Sequence, residues 1–381
     1  MTRAPVKPEM LQWACERAGL EIAALAQRFP KLPEWLREEA RPTLKQLENF
    51  AKATHAPFGY FFLPAPPEEP IPIPDFRTMP RAGTRRPSPD LLDTIYICQQ
   101  RQDWYREYVH VSGDQPFPFV GSATTAADIV EVAADMRDAL AFDLDERRRM
   151  PTWLDALRRF IEQADNLGIL VMVSGVVGNN NRRKLDPQEF RGFALSDPLA
   201  PVVFINGADT RAAQMFTLAH ELAHLRLGET ALTDVEPRSA PNHDIESWCN
   251  RVAAELLAPL EVVIAEYDSR APLNQEMTRL ARRFKVSTLV VLRRIYDADG
   301  LTRDRYLQAY DEEIARLMSL SSSSGGNFYL TTAARVSKRF ARAVVTSTWE
   351  GRSSFTEAFH LLGFKKMSTF RELGQSMGVA V

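Results

Sequence analysis

Cysteine is scarce in this chain: three residues in 381, Cys15, Cys98 and Cys249, far apart and in no metal-binding or redox spacing. That excludes a disulfide-stapled scaffold and a thiolate metal cluster, and suits a reducing compartment. No secretory hydrophobic region and no long apolar span occurs, so no membrane role and a cytoplasmic location are expected. Charge of either sign is not in excess. A formal net charge of -2 gives no general drive toward nucleic acid or an anionic membrane surface. Histidine is also sparse, with six residues. Two of those six stand four apart.

They belong to His220-Glu221-Leu222-Ala223-His224, inside the run MFTLAHELAHLRLGE. Residues four apart share a helical face, so both imidazoles can grip one cation while Glu221 faces its open side as a general base. The stretch from Thr210 to Leu227 has no Gly or Pro, and Gly228 follows as a stop signal. Nearly every other position is apolar, which predicts a buried helix. Two histidines and a glutamate buried there need a partner, and Zn2+ is the simplest one.

A catalytic zinc site has three protein ligands and one position for water. Downstream, DIESWCNRVAAELLAP reads as an amphipathic helix ending before Pro259, with Glu246 and Asn250 one turn apart on one face. Glu246 can complete a His2Glu set, and Asn250 can orient a ligand histidine. His243, in the preceding loop EPRSAPNHDI, competes for the third place, and Glu255 is a further alternative that falls off the Glu246 face.

FTLAHELAHL followed by E-x-x-C-N-x-x-A-A-E-L-L-A-P resembles the ImmA/IrrE metallopeptidases. The stretch GVVGNNNRRKLDPQEFRGFALSDPLAPVVFINGADTRAAQMF is similar to longer members of that group. The resemblance implies metal ligands at His220, His224 and Glu246, a catalytic base at Glu221, and an α+β, zincin-like fold of gluzincin type. It also implies a site-specific endopeptidase whose partner is a protein, an Xre-type repressor cut in bacterial stress, mobile-element or defence regulation. A non-proteolytic antitoxin or repressor bound to a toxin is the rival reading, and an Xre-type DNA binder is a third.

The remaining sequence suggests four parts. Residues 1–66 carry short helical periods broken by Gly19, Pro30, Pro33 and Pro42, and resemble an Xre-type helix-turn-helix module. The segment expected to read DNA, Phe29 to Glu39, has two prolines and offers Glu34, Glu38 and Glu39 against Lys31 and Arg37. That chemistry is poor for phosphate, so a degenerate module used for packing or partner recognition is expected, with DNA weakly supported. Residues 67–90 form a proline-rich linker with Arg77, Arg81, Arg85 and Arg86. Residues 91–318 hold helices, strands in ILVMVSGVV, EFRGFALSD and APVVFIN, the metal helix, and a helix-turn-helix-like pair at about 272–300 turning at Lys285-Val286-Ser287. If Phe190–Ser196 or Val202–Ile205 is an edge strand, an extended substrate can pair with it. A Ser/Gly-rich stretch, Ser319–Gly326, precedes a small basic helical unit at 327–381.

Overall fold

The computed structural model describes residues 3–75, 87–233, 244–318 and 335–379. His243, the arginines of the linker at 77, 81, 85 and 86, and the stretch Ser319–Gly326 lie outside them. Packing divides the chain into two units, Met1–Pro72 with Pro80–Tyr96, and Ile73–Met79 with Ile97–Val381. The architecture is mixed α+β.

In the first unit, prolines and left-handed turns cut the chain into α1 (Pro8–Arg17), α2 (Ile22–Arg28), α3 (Leu32–Leu36) and α4 (Leu44–Thr54). Thr43 opens α4 with a capping box: its hydroxyl accepts from the Gln46 N–H at 3.2 Å while Gln46 Oε1 accepts from the Thr43 N–H at 2.9 Å. Leu11, Leu32, Trp35, Leu47, Phe50 and Phe61 close a separate small core. The Phe29–Glu39 segment therefore holds a five-residue helix whose Leu32 and Trp35 point inward.

The second unit is built on a four-stranded sheet of β1 (Leu170–Ser174), β2 (Gly192–Leu195), β3 (Val202–Asn206) and β4 (Ala231–Thr233), in the order β1-β3-β2-β4. β1 runs parallel to β3, whereas β2 is antiparallel to both β3 and β4. The edge expectation is thereby corrected: β2 and β3 are interior, and β4 is an outer strand. Beside it, Asp75 forms a parallel bridge to Leu232, whose N–H donates to the Pro74 carbonyl at 2.9 Å.

Alternation along the strands assigns the two faces. Val171, Ala194, Val203 and Ile205 join the main core with α8 (Trp153–Leu167) and α9 (Arg211–Leu227). Each such fully buried branched side chain contributes roughly 1.5–3 kcal/mol. On the opposite face Phe193 stacks on Phe204 at 5.0 Å, and α5 (Pro89–Ser112) brings Cys98 to Met172 at 3.8 Å. Gln102 of α5 donates to the carbonyls of Leu195 and Ala200, both at 2.9 Å, satisfying backbone at the sheet's end.

Both helices of the candidate site are held at their C-termini. α9 ends on Gly228 at φ 75, and the carbonyls of Leu225 and Arg226 accept from the N–H groups of Gly121 and Ala123 at 3.0 and 2.9 Å. α10 (Asp244–Leu257) receives three arginines from α6 (Ile129–Ala139), α7 (Leu144–Arg149) and α13 (Thr288–Asp297). Arg137 donates to the Glu255 carbonyl at 2.8 Å, Arg147 to Leu257, and Arg294 to Ala258 at 2.8 Å while pairing with the Glu255 carboxylate. Cations at a helix C-terminus in partly buried geometry contribute up to about 2 kcal/mol each. Glu255 thus serves structure at the far end of the helix from Glu246.

α12 (Leu273–Phe284) and α13 join through Lys285, at φ 52, and the Ser287 N-cap. Met277, Leu280, Phe284, Val290 and Ile295 extend the same core as α9 and α10. After α11 (Leu260–Glu266) and α14 (Arg303–Met318), the chain ends in three helices, α15 (Lys338–Trp349), α16 (Phe355–Leu362) and α17 (Met367–Ser376). α15 docks by Phe340 against Trp104 at 5.6 Å and by Ser337, whose hydroxyl donates to buried Asp165 at 2.7 Å.

Candidate metal centre

The apolar periodicity of α9 buries the helix from Gln214 to Arg226 almost without interruption. His220, Glu221 and His224 are fully enclosed. α10 crosses beside it and delivers Glu246, also buried. The Nε2 atoms of His220 and His224 face one another at 3.0 Å, and the Glu246 carboxylate lies 3.3 Å from the first and 3.0 Å from the second.

These three residues are the group of His, Cys, Asp or Glu that can hold a metal ion among the described residues. The geometry fits one. Zinc bonds of 2.0–2.1 Å in a tetrahedron set ligand atoms about 3.3 Å apart, close to the spacings here. Two imidazole nitrogens and a carboxylate facing one point is also the donor set of a catalytic zinc site.

Electrostatics follow from that crowding. Burial opposes charge on His220, but Glu246 and Glu221 outweigh it and raise its pKa. His224 is pushed down, by burial first and by His220 as a further cause. Burial works against the Glu246 carboxylate too, yet the two imidazoles hold it well below the usual range. Glu221 is pushed up to about 8 by burial, with His220 and Thr233 pulling the other way. Burial thus moves this carboxyl from the acid range toward neutral pH.

Asn250 lies one turn beyond Glu246 and acts on His220 in the sense that favours the protonated ring. His220 Nδ1 and Asn250 Oδ1 are both buried, and neither has a hydrogen-bond partner among the described residues. The structure therefore brings His220, His224, Glu221, Glu246 and Asn250 to one place.

Two contributors were not singled out in the sequence. The Thr233 hydroxyl, at the end of β4, donates to Glu221 Oε1, and both groups are fully buried. Gly192 on β2 lies against the same glutamate: a Cβ there would meet Thr217 Cγ2 at 2.5 Å, the Phe204 carbonyl at 2.8 Å and Glu221 Oε1 at 3.1 Å. A lone glycine inside a strand pattern is the signal that marks such a close approach. A three-residue strand offers no comparable signal for Thr233.

Comparison with known proteins agrees with this geometry. Residues 164–296 match the family model described as the IrrE N-terminal-like domain, and residues 336–376 match a domain family of unknown function. The chain is 39% identical over 97 residues to the radiation response metalloprotease IrrE of Deinococcus radiodurans, covering 24% of this chain and 29% of that protein. It is 36% identical over 101 residues to the protein of the same name in Deinococcus deserti, covering 25% and 36%. The matches span about a third of the length of these relatives. They support the ImmA/IrrE family and a metalloprotease, a class that uses a metal ion and acts on protein. Among the described residues no helix is long and apolar enough to cross a membrane.

Proposed function

We propose that the chain is a zinc-dependent endopeptidase of zincin-like, HExxH-plus-Glu type that cuts a protein partner in the cytoplasm. The partner is an Xre-type transcriptional repressor, and cleavage serves bacterial stress, mobile-element or defence regulation. In this reading residues 91–318 form the peptidase and residues 1–66 a degenerate helix-turn-helix module for partner recognition.

The observation that carries the reading is the convergence of His220, His224 and Glu246 beside a buried glutamate whose carboxylate is split between two tasks. Zinc, when bound, lowers the pKa of its water to about 7 and polarises the scissile carbonyl. The three ligands hold the cation, and Asn250 fixes the His220 ring. Thr233 fixes Oε1 of Glu221. Oε2, which has no hydrogen-bond partner among the described residues, is the atom that accepts a proton from the attacking water and passes it to the leaving amine.

The test is incubation of the purified, zinc-loaded protein with an Xre-type repressor encoded beside it. Cleavage at one site, lost in Glu221→Gln, supports the endopeptidase. A stable uncut complex would instead favour an antitoxin or regulator of a toxin-antitoxin pair.

A further inference from the structure

Charge is unevenly shared along the chain. Residues 335–379 carry eight Lys or Arg against three Glu, a net +5, whereas the whole chain is -2, so the remaining residues sum to -7. Part of this excess is spent internally. Arg339 donates to Asp165 and to Tyr105, and Arg335 to Asn179. Lys365, Lys366 and Arg371 are exposed and have no carboxylate partner among the described residues.

Those three residues sit on one feature. α16 and α17 are joined by the four residues Gly363 to Lys366, with Gly363 at φ 72. This is the length and turn chemistry of a helix-turn-helix connection. Phe370 and Leu373 turn α17 inward, which leaves Ser368, Arg371, Glu372 and Gln375 along its outer side.

A second element joins it. Asn179, in the loop after β1, donates to the carbonyls of Leu362 and Gly363 at 3.2 and 2.9 Å. The loop is itself a tight turn, with the Arg183 N–H on the Asn180 carbonyl at 2.9 Å. It is therefore pinned to the α16–α17 connection and carries the exposed Arg182 and Lys184. Five exposed cations thus lie on two elements that these hydrogen bonds join. By contrast, Arg279, Arg283, Arg293 and Arg294 of the α12–α13 pair each meet a carboxylate.

The geometry points to a binding site for duplex DNA on these two elements, with Arg182, Lys184, Lys365 and Lys366 on the phosphate backbone and the outer side of α17 toward the bases. A helix that enters an anionic membrane surface needs exposed apolar residues along its length. α17 keeps Phe370 and Leu373 in its core and presents polar groups that match base edges and phosphates.

Fluorescence anisotropy of a labelled 20-base-pair duplex with the full-length protein tests this between 50 and 200 mM salt. Four phosphate contacts give a slope of log K against log salt of about -3.6, a loss of roughly 150-fold across that range. The triple variant Lys365→Gln, Lys366→Gln, Arg371→Gln should lower the slope to about -2 and weaken binding at 50 mM at least tenfold, with an unchanged Tm. Arg182→Glu with Lys184→Glu, on the other element, should weaken it as well, and serves if the triple variant fails to fold. Absence of duplex binding by the unaltered protein, equal binding by both variants, or binding to phosphatidylserine vesicles without duplex binding would each overturn the proposal.

Discussion

Thr233 donates its hydroxyl to Oε1 of Glu221 across the gap between β4 and α9, while Oε2 of the same carboxylate has no hydrogen-bond partner among the described residues. One oxygen is anchored and the other is available. Thr233→Val keeps the side-chain shape but removes the donor, leaving Oε1 buried and unsatisfied. Zinc content should stay at the level of the unaltered protein while kcat falls about 10-fold and KM changes little, since general-base contributions run to roughly 10²–10⁴-fold. Glu221→Gln should retain zinc and abolish cleavage. Equal turnover by all three proteins would remove Glu221 from the chemistry.

The third ligand is decided by metal content. Glu246→Ala takes away the carboxylate that lies 3.3 and 3.0 Å from the two imidazoles, so zinc should be lost on dialysis against a mild chelator. Asn250→Ala should weaken zinc 10–100-fold, the usual effect of removing a group that orients a ligand. His243→Ala should change occupancy little. Retained zinc in the Glu246 variant with loss in the His243 variant would mean a three-histidine site.

Much of this site was legible because long, capped helices declare themselves. Thr210 and Gly228 bracket α9, and the hydroxyl of Thr210 accepts from the Ala213 N–H at 3.2 Å. The turn at Lys285-Val286-Ser287 was readable for the same reason, since Ser287 caps α13 through the Val290 N–H at 3.2 Å. Strand neighbours were not readable. Val202–Asn206 and Gly192–Leu195 look alike as short apolar runs, and nothing local says that both are interior or that Ala231–Thr233 lies outside them. Thr233 reaches Glu221 only because the sheet order places β4 beside β2, a non-local fact absent from any window of sequence.

Zinc binding should release protons. His220 is raised by Glu246 and Glu221 against the effect of burial, and Glu221 itself is raised to about 8, so at roughly pH 6 both are protonated. A ligand imidazole must be neutral, so protons compete with zinc and the apparent Kd weakens as pH falls. Titration calorimetry in two buffers of different ionisation enthalpy should show protons released from the ligand imidazole near pH 6, a contribution that shrinks as pH rises. A release independent of pH would contradict the charge states assigned here.

The last prediction concerns the close approach of β2 to α9. A methyl at position 192 would lie 2.8 Å from the Phe204 carbonyl, which is fixed backbone of the neighbouring strand, and 2.5 Å from Thr217 Cγ2. β2 is hydrogen-bonded on both sides, so it has little room to retreat. Gly192→Ala should therefore cost about 1–3 kcal/mol through overpacking, read as a lowered denaturant midpoint at constant m-value. Because the same methyl would sit 3.1 Å from Glu221 Oε1, cleavage should fall more than stability does, with zinc retained. Gly59→Ala is the control: nothing lies within 4 Å of a Cβ there, and both stability and activity should be unaltered. If Gly192→Ala matched that control, the contact between β2 and the catalytic helix would be looser than these distances describe.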